Sequence, residues 1–255
     1  MENNGERFID NQKTSWDLFL QHVGRYLFAS SYVCGKTVLD AACGSGFGSN
    51  MISQKAKKVV GIDNSWDAIR YCRERYKKPN LSFLQMDCNR LALPGPTFDA
   101  VVSFETLEHI QGADVFLQEL SRVLKKDGMI IMSAPNRENF SLYTKGIINP
   151  FHVKEFNEDE FTKLIGKHFE LKKILGQKFF AKKDIPLLTE YTTKQIPYGS
   201  DSIVRRLIRI GLRTVFSEDT RTNYFLSWEV WANKCKVGGI IPSKAVYLIG
   251  IGRKY

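Results

Sequence analysis

Apolar positions recur along this chain first at helical spacing and then in short runs. Trp16, Phe19, Leu20, Val23 and Leu27 return every three or four residues behind Thr14 and Ser15, two residues suited to capping, so the spacing predicts an amphipathic helix over 14–30. From residue 37 the rhythm changes. Apolar runs over 37–42, 58–63, 81–86, 98–104 and 129–134 read as strands apolar enough to be buried on both faces. Helical segments separate them: a small-residue helix after the first run, one capped by Ser65 and reaching 76, and one over 113–126 that stops at Asp127-Gly128. Asn157 and Glu160 stand at capping-box spacing for a helix to about 168. Runs over 169–180 and 245–253 suit an antiparallel pair that closes the sheet.

Strands alternating with helices imply an α/β fold, a doubly wound and mostly parallel seven-stranded sheet covered on both faces. About 60 residues separate the last two strands, far beyond a usual connection. The expected organisation is therefore an N-terminal helical segment (1–35), a core (36–181), an inserted and mainly helical segment (182–244) and the last core strand (245–255).

Composition narrows the setting. Five cysteines, Cys34, Cys43, Cys72, Cys88 and Cys235, are odd in number and show no C-x-x-C spacing, which argues against zinc or redox chemistry and for a reducing, cytoplasmic compartment. Neither a basic, apolar leader nor an apolar stretch of spanning length occurs, so no transmembrane segment is expected and membrane contact would be peripheral. The net charge of +10 favours an anionic surface or substrate.

Ligands of open α/β sheets bind at the carboxyl ends of the strands, and acidic residues cluster there. The first strand runs through Asp40, Ala41 and Ala42 into the turn Cys43-Gly44-Ser45-Gly46, whose glycines let a ligand approach the backbone closely. The second ends at Asp63-Asn64 and the third at Asp87-Cys88. A glycine turn alone also fits NAD, but Asp40 would repel a pyrophosphate, and no Gly-Lys-Ser/Thr follows to cradle phosphate. S-adenosylmethionine (SAM) presents an ammonium and a sulfonium there, for which Asp40 is a favourable neighbour. Asp63 is placed for both ribose hydroxyls, a role common to NAD and SAM sites. Asp87 is placed for the adenine amino group and the Cys88 amide for the ring. The same acids also suit capping of the following helices.

These residues carry a resemblance. Val38-Leu39-Asp40-Ala41-Ala42-Cys43-Gly44-Ser45-Gly46 resembles the first motif of class I SAM-dependent methyltransferases, with Ala42 in place of the usual first glycine. Phe98 to Ser103 followed by Leu107-Glu108-His109-Ile110, then Ser133-Ala134-Pro135-Asn136 and the stretch from Asn149 to Phe156, are similar to the branch that includes ubiquinone-pathway O-methyltransferases. The resemblance implies a Rossmann-like methyltransferase fold with SAM held by residues 36–181, and it adds Phe104, at the end of strand four, to the cofactor set. Gly5-Glu6-Arg7-Phe8 and the stretch from His22 to Phe28 look like a bacterial subgroup associated with glycan or glycolipid modification. In that subgroup the first helix lids the cofactor, which would put Arg25 and Tyr26 near its methionine end; a core Tyr26 and a solvated Arg25 are equally open.

SAM carries an activated methyl group, so catalysis asks mainly for orientation, exclusion of water and, for a hydroxyl nucleophile, a base. Glu108, His109 and His152 are the candidate catalytic residues, against packing and helix-terminus roles. Glu105, Glu108, His109 and His152 further resemble the divalent-metal site of small-RNA 2′-O-methyltransferases, which implies Mg²⁺ or Mn²⁺ beside vicinal hydroxyls. In the inserted segment Arg205, Arg206, Arg209 and Arg213 would share one helical face and meet an anionic surface or substrate, or simply water. The combined expectation is a SAM-dependent methyltransferase acting on oxygen of a glycan, lipid-linked or other small hydroxylated acceptor. An RNA 2′-O-methyltransferase and a non-catalytic SAM-binding subunit are the alternatives.

Overall fold

The structure, a computed structural model, describes residues 16–139, 150–177, 179–180, 224–225 and 247–255. In chain order the elements are α1 (Trp16–Ser30), β1 (Thr37–Ala41), α2 (Phe47–Ile52), β2 (Lys58–Asp63), α3 (Trp66–Arg75), β3 (Leu81–Gln85), β4 (Phe98–Phe104), a 3₁₀ turn (Leu107–His109), α4 (Ala113–Val123), β5 (Leu124–Pro135), α5 (Glu158–Gly166), β6 (Glu170–Gln177), β7 (Phe179–Phe180), β8 (Tyr224–Phe225) and β9 (Tyr247–Arg253).

Seven strands form one sheet in the order β3-β2-β1-β4-β5-β9-β6, in which β9 runs opposite to the other six. The alternation of side chains divides the core in two. Leu39, Ile62, Val101, Ile130 and Leu248 face the layer of α4 and α5, where they meet Phe116, Leu120, Phe161 and Ile165. Val38, Val59, Val102, Ile131 and Ile249 face Phe28 of α1, Ile52 of α2 and Ile69 of α3. Both faces are apolar because both are buried, which is why the strands read as continuous apolar runs.

Local signals set the ends. Ser65 caps α3 by accepting from the Ala68 amide at 3.3 Å. Asn157 and Glu160 complete the capping box of α5, each side chain accepting from the other's backbone N–H at 2.9 and 3.1 Å. The third long helix ends at Val123, three residues before the sequence expectation of 126, because Leu124 pairs with Phe98 and starts β5. Of the expected inserted segment, 182–244, the structure describes the two residues of β8, whose backbone pairs with β7; Arg205, Arg206, Arg209 and Arg213 lie outside the described residues. Among the described residues no helix is long and apolar enough to cross a membrane.

Chain direction fixes the site. From β1 the sheet grows one way through β2 and the other way through β4, and a crevice opens above the carboxyl ends where the two directions part. Helix α1 crosses there and packs on α2 with almost no gap: a methyl group built on Gly48 would overlap the ring of Tyr26. Gly48→Ala is therefore expected to lower stability by about 1–3 kcal/mol through overpacking, seen as a lower urea midpoint at unchanged m-value; an unshifted midpoint would mean that α1 gives way freely.

Candidate active site

The crevice holds a cavity of about 460 Å³ bounded by the ends of β1 to β4, by α1 and by the segment around Phe151. Its floor is the turn after β1. Ala42, Gly44 and Gly46 all have left-handed backbone, with φ of 61°, 55° and 72°. Ala42 occupies the position where the resembling motif has glycine, and it bears the steric cost of a Cβ in that conformation. Gly46 has a second reason to lack a side chain, since a Cβ there would lie 2.6 Å from Cys72 Sγ and 2.8 Å from the Phe83 ring.

Asp40 sits beneath this floor, fully buried. Ser49 Oγ donates to Oδ2 at 2.5 Å, and the Tyr26 hydroxyl lies 3.1 and 3.2 Å from the two oxygens. Among the described residues no basic side chain pairs with it. Burial therefore pushes the Asp40 carboxyl up to about 7, against the two hydroxyl donors and with help from the charge of Asp63. The same enclosure, and the charge of Asp40, raise the Tyr26 phenol.

Asp63 is tied into the turn. Its Oδ2 accepts from the Gly44 amide at 3.0 Å and its Oδ1 from the Ser65 amide at 2.9 Å, while Ser65 and not Asp63 caps α3. Both carboxylate oxygens thus accept from backbone amides at the cavity wall. Asp87 accepts from the Asn89 amide at 2.9 Å and starts no helix. Cys88 is buried, and burial pushes its thiol up to about 12, so it meets a ligand as a neutral thiol and a backbone amide.

The cavity wall includes Tyr26, Ala42, Gly44, Ser45, Asp63, Asn64, Asp87, Cys88, Phe104, Glu105 and His109 of the residues expected from the sequence. Asp40, Ala41 and Gly46 lie behind that surface, and so do Glu108 and His152. Arg25 is neither on the cavity wall nor solvated: it is fully buried and bonded to Gln177.

His109 and His152 come together, ring centroids 4.8 Å apart and nearly perpendicular. Each Nδ1 meets an acceptor at 3.0 Å, the Phe151 carbonyl for His109 and the Glu155 carboxylate for His152. A carbonyl only accepts, so Nδ1 of His109 carries a proton, while its Nε2 stands 3.7 Å from Glu108 Oε1; the carboxylate likewise favours a proton on Nδ1 of His152. The segment is pinned there by the Val153 and Lys154 amides, which donate to the Glu108 carbonyl at 2.7 and 3.2 Å. Ligand atoms of Glu108, His109 and His152 lie within 4.8 Å of one another. Glu105 does not join them. Its backbone turns at φ 52°, and its carboxylate accepts from Ser133 Oγ at 2.7 Å and stands 3.8 Å from Arg25. The four-residue metal set thus becomes three, because the left-handed turn at Glu105 sends its side chain toward β5.

Of the wall residues outside the expected site set, His22 and Phe151 bear on the chemistry. His22 stands one turn before Tyr26 on α1, edge-on to Phe47, and burial together with the Arg25 charge holds its imidazole well below the usual range, so it is neutral. Its i,i+4 spacing from Tyr26 was the available signal. Phe151 borders the cavity with about half its surface exposed, and only its contact with His109 marks it out.

The profile of a methyltransferase domain family matches residues 39–132. A protein of Mycobacterium tuberculosis named as a probable S-adenosylmethionine-dependent methyltransferase is 35% identical over 161 residues, 63% of this chain and 58% of that protein. A fatty-acid O-methyltransferase of Mycolicibacterium smegmatis is 35% identical over 40% of this chain and 38% of its own length. The chain thus spans less than two thirds of the length of these relatives. Among solved structures the [4+2]-cyclase SpnF superposes with a TM-score of 0.57 at 18% identity, covering 99% of this chain and 85% of the other, a likeness of fold.

Asp40 gives the site a pH signature. Its pKa is 3.8 as an ordinary carboxyl and about 7 in the fold, so the fold favours the neutral acid. That contribution to stability is fully present below the lower value and is lost as pH rises through the higher one. Asp40→Asn, which never ionises, is expected to gain on the parent protein by a few kcal/mol between pH 5 and pH 8, because each pH step of one between the two values costs the carboxyl about 1.4 kcal/mol. Urea unfolding of both unliganded proteins at stepped pH measures this; a difference flat with pH would mean that the carboxyl titrates normally.

Proposed function

As the chain belongs to the class I SAM-dependent methyltransferases, we propose that it binds SAM in the crevice above β1 to β4 and transfers its methyl group to an oxygen of a small acceptor. The observation that carries this reading is the set of three strand-end carboxylates around a glycine turn, with Asp40 buried and unmatched by any cation among the described residues. A ligand that brings positive charge to the turn relieves that cost, and a pyrophosphate increases it. The donor set fits the cofactor: Asp40 for the ammonium and sulfonium, Asp63 for the ribose hydroxyls, Asp87 and the Cys88 amide for adenine. When bound, SAM supplies a methyl group already activated by its sulfonium.

The protein's part is placement and a proton acceptor. Tyr26, Phe47 and Phe104 pack edge to face at the cavity wall and keep water from that end. His109 is the base: its ring is oriented by the Nδ1–H bond to the Phe151 carbonyl, and it lines the cavity where His152 does not. His152 packs behind it. The fatty-acid O-methyltransferase among the relatives favours a lipid-type or other small hydroxylated acceptor over RNA.

A second reading has its own support in the Glu108, His109 and His152 cluster. Two imidazoles and a carboxylate suit a divalent ion, and the acceptors on both Nδ1 atoms are the outer partners such ligands use. Atoms up to 4.8 Å apart must close by over 1 Å to reach the roughly 3–3.5 Å edges of a shell with bonds of about 2.1 Å. Free imidazole chemistry needs no such movement, so the base reading is preferred.

Two outcomes test these assignments. Titration calorimetry should show SAM binding and no appreciable NADH binding, and Asp63→Asn should lower SAM affinity by tenfold or more while costing only about 1 kcal/mol of stability for the weakened turn; tight NADH binding, or intact SAM affinity in the variant, would overturn the cofactor assignment. With radiolabelled SAM and a panel of hydroxylated acceptors, His109→Ala should slow transfer by about 10² or more with SAM affinity unchanged, and a chelator should have no effect. Loss of activity in chelator with recovery in Mn²⁺ or Mg²⁺ would favour the metal reading instead.

A further inference from the structure

The cavity is small for what it must hold. At about 460 Å³ it falls in the lower half of the range of roughly 300–1,000 Å³ that encloses one drug-sized ligand. SAM is a ligand of that size, so with the cofactor in place only the reacting end of an acceptor fits beside it, and the rest lies at the mouth. Side chains that line the cavity and also meet solvent mark that mouth. Phe151 does both, with 47% of its surface exposed. Ile110, half-buried and next in the chain to His109, borders the same cavity. Val153, 54% exposed, follows Phe151 on a segment anchored by its own amide to the Glu108 carbonyl at 2.7 Å. The Phe151 carbonyl meets Nδ1 of His109 at 3.0 Å, so this apolar lip adjoins the base.

The wall has a sign as well as a shape. Asp63, Asp87 and Glu105 place three carboxylates on it, and its other described side chains are aromatic, apolar, neutral polar or imidazole. Burial and the Arg25 charge hold the His22 imidazole neutral. Arg25, buried behind Glu105 at 3.8 Å, offsets one carboxylate, and SAM, with two positive groups and one negative, offsets a second. An anionic acceptor would enter against the negative charge that is left, in a water-poor space where like charges repel most strongly. A cationic one would shed its hydration over the apolar lip. An uncharged molecule avoids both costs.

Resting on the methyltransferase reading, we propose that the acceptor is an uncharged alcohol or phenol with an apolar body, bound hydroxyl first, and that Ile110, Phe151 and Val153 form the surface on which the body lies. The hydroxyl points inward to His109 while the body stays at the mouth, covered on one side by the Phe151 ring. Continuity between lip and cavity identifies this occupant, since exposed apolar side chains that run into a binding cavity mark a surface kept for a ligand. Phosphorylated and carboxylated acceptors are selected against by the wall.

Titration calorimetry on the full chain saturated with S-adenosylhomocysteine tests this with phenol, para-butylphenol, para-butylbenzoate and para-butylbenzylamine at neutral pH. Para-butylphenol should bind about tenfold or more tighter than phenol, since each buried CH₂ is worth up to about fourfold, and about tenfold or more tighter than either charged probe. Phe151→Ser, which keeps the backbone carbonyl on His109, should remove most of the gain from the butyl group and leave S-adenosylhomocysteine affinity unchanged. Absence of para-butylphenol binding, equal or tighter binding of the benzoate or the amine, or no gain over phenol overturns the proposal in the parent protein alone. A butyl gain that survives in Phe151→Ser, or a loss of S-adenosylhomocysteine affinity there, shows that the ring serves something other than the acceptor's body and also overturns it. Absence of S-adenosylhomocysteine binding by the parent protein would instead sink the methyltransferase reading.

Discussion

Keeping the Asp40 carboxyl out of water at the end of the central strand is the requirement around which this site is arranged. A buried acid needs donors, and two helices supply them: Tyr26 from α1 and Ser49 from α2. For Tyr26 to reach, α1 must lie against α2 at a distance only Gly48 permits. Helix α1, the glycine in the helix beneath it and the acid below are thus one packed unit. The hydroxyls satisfy hydrogen bonding but not charge, so the acid keeps a high pKa.

The turn above Asp40 shows how backbone strain and chemistry are joined. Three left-handed residues in five bring the Gly44 amide onto Asp63 and open the backbone to the cavity. Glu105 repeats the device at the end of β4, where a left-handed carboxylate residue turns toward β5 and leaves His109 facing the cavity. Strained positions of this kind persist only where their surroundings over-determine them, and here bonds to Ser133 and Gly44 do so.

Around His109 and Arg25 the arrangement depends on residues far apart in the chain. The His109 ring is oriented by the Phe151 carbonyl, and the Arg25 guanidinium is held by Gln177 and Tyr247, over 150 residues away. Charge is shared unevenly across β4: acids cluster over β1 to β3, and a buried cation stands over β5, β9 and β6.

By itself the sequence determined the layers, the strand ends and many of the residues that line the crevice, because burial on both faces writes continuous apolar runs and because in an open α/β sheet the crevice lies at strand ends that those runs locate. The capping box of α5 was equally legible, since its two partners are three residues apart. Only the tertiary structure decided which polar residues meet. It separated Glu105 from Glu108, His109 and His152, since one left-handed φ redirects a side chain without altering the spacing that suggested four ligands. It also placed Arg25, which on helical periodicity was as free to face water as the core, because its burial is set by strands that close over it from the far end of the chain.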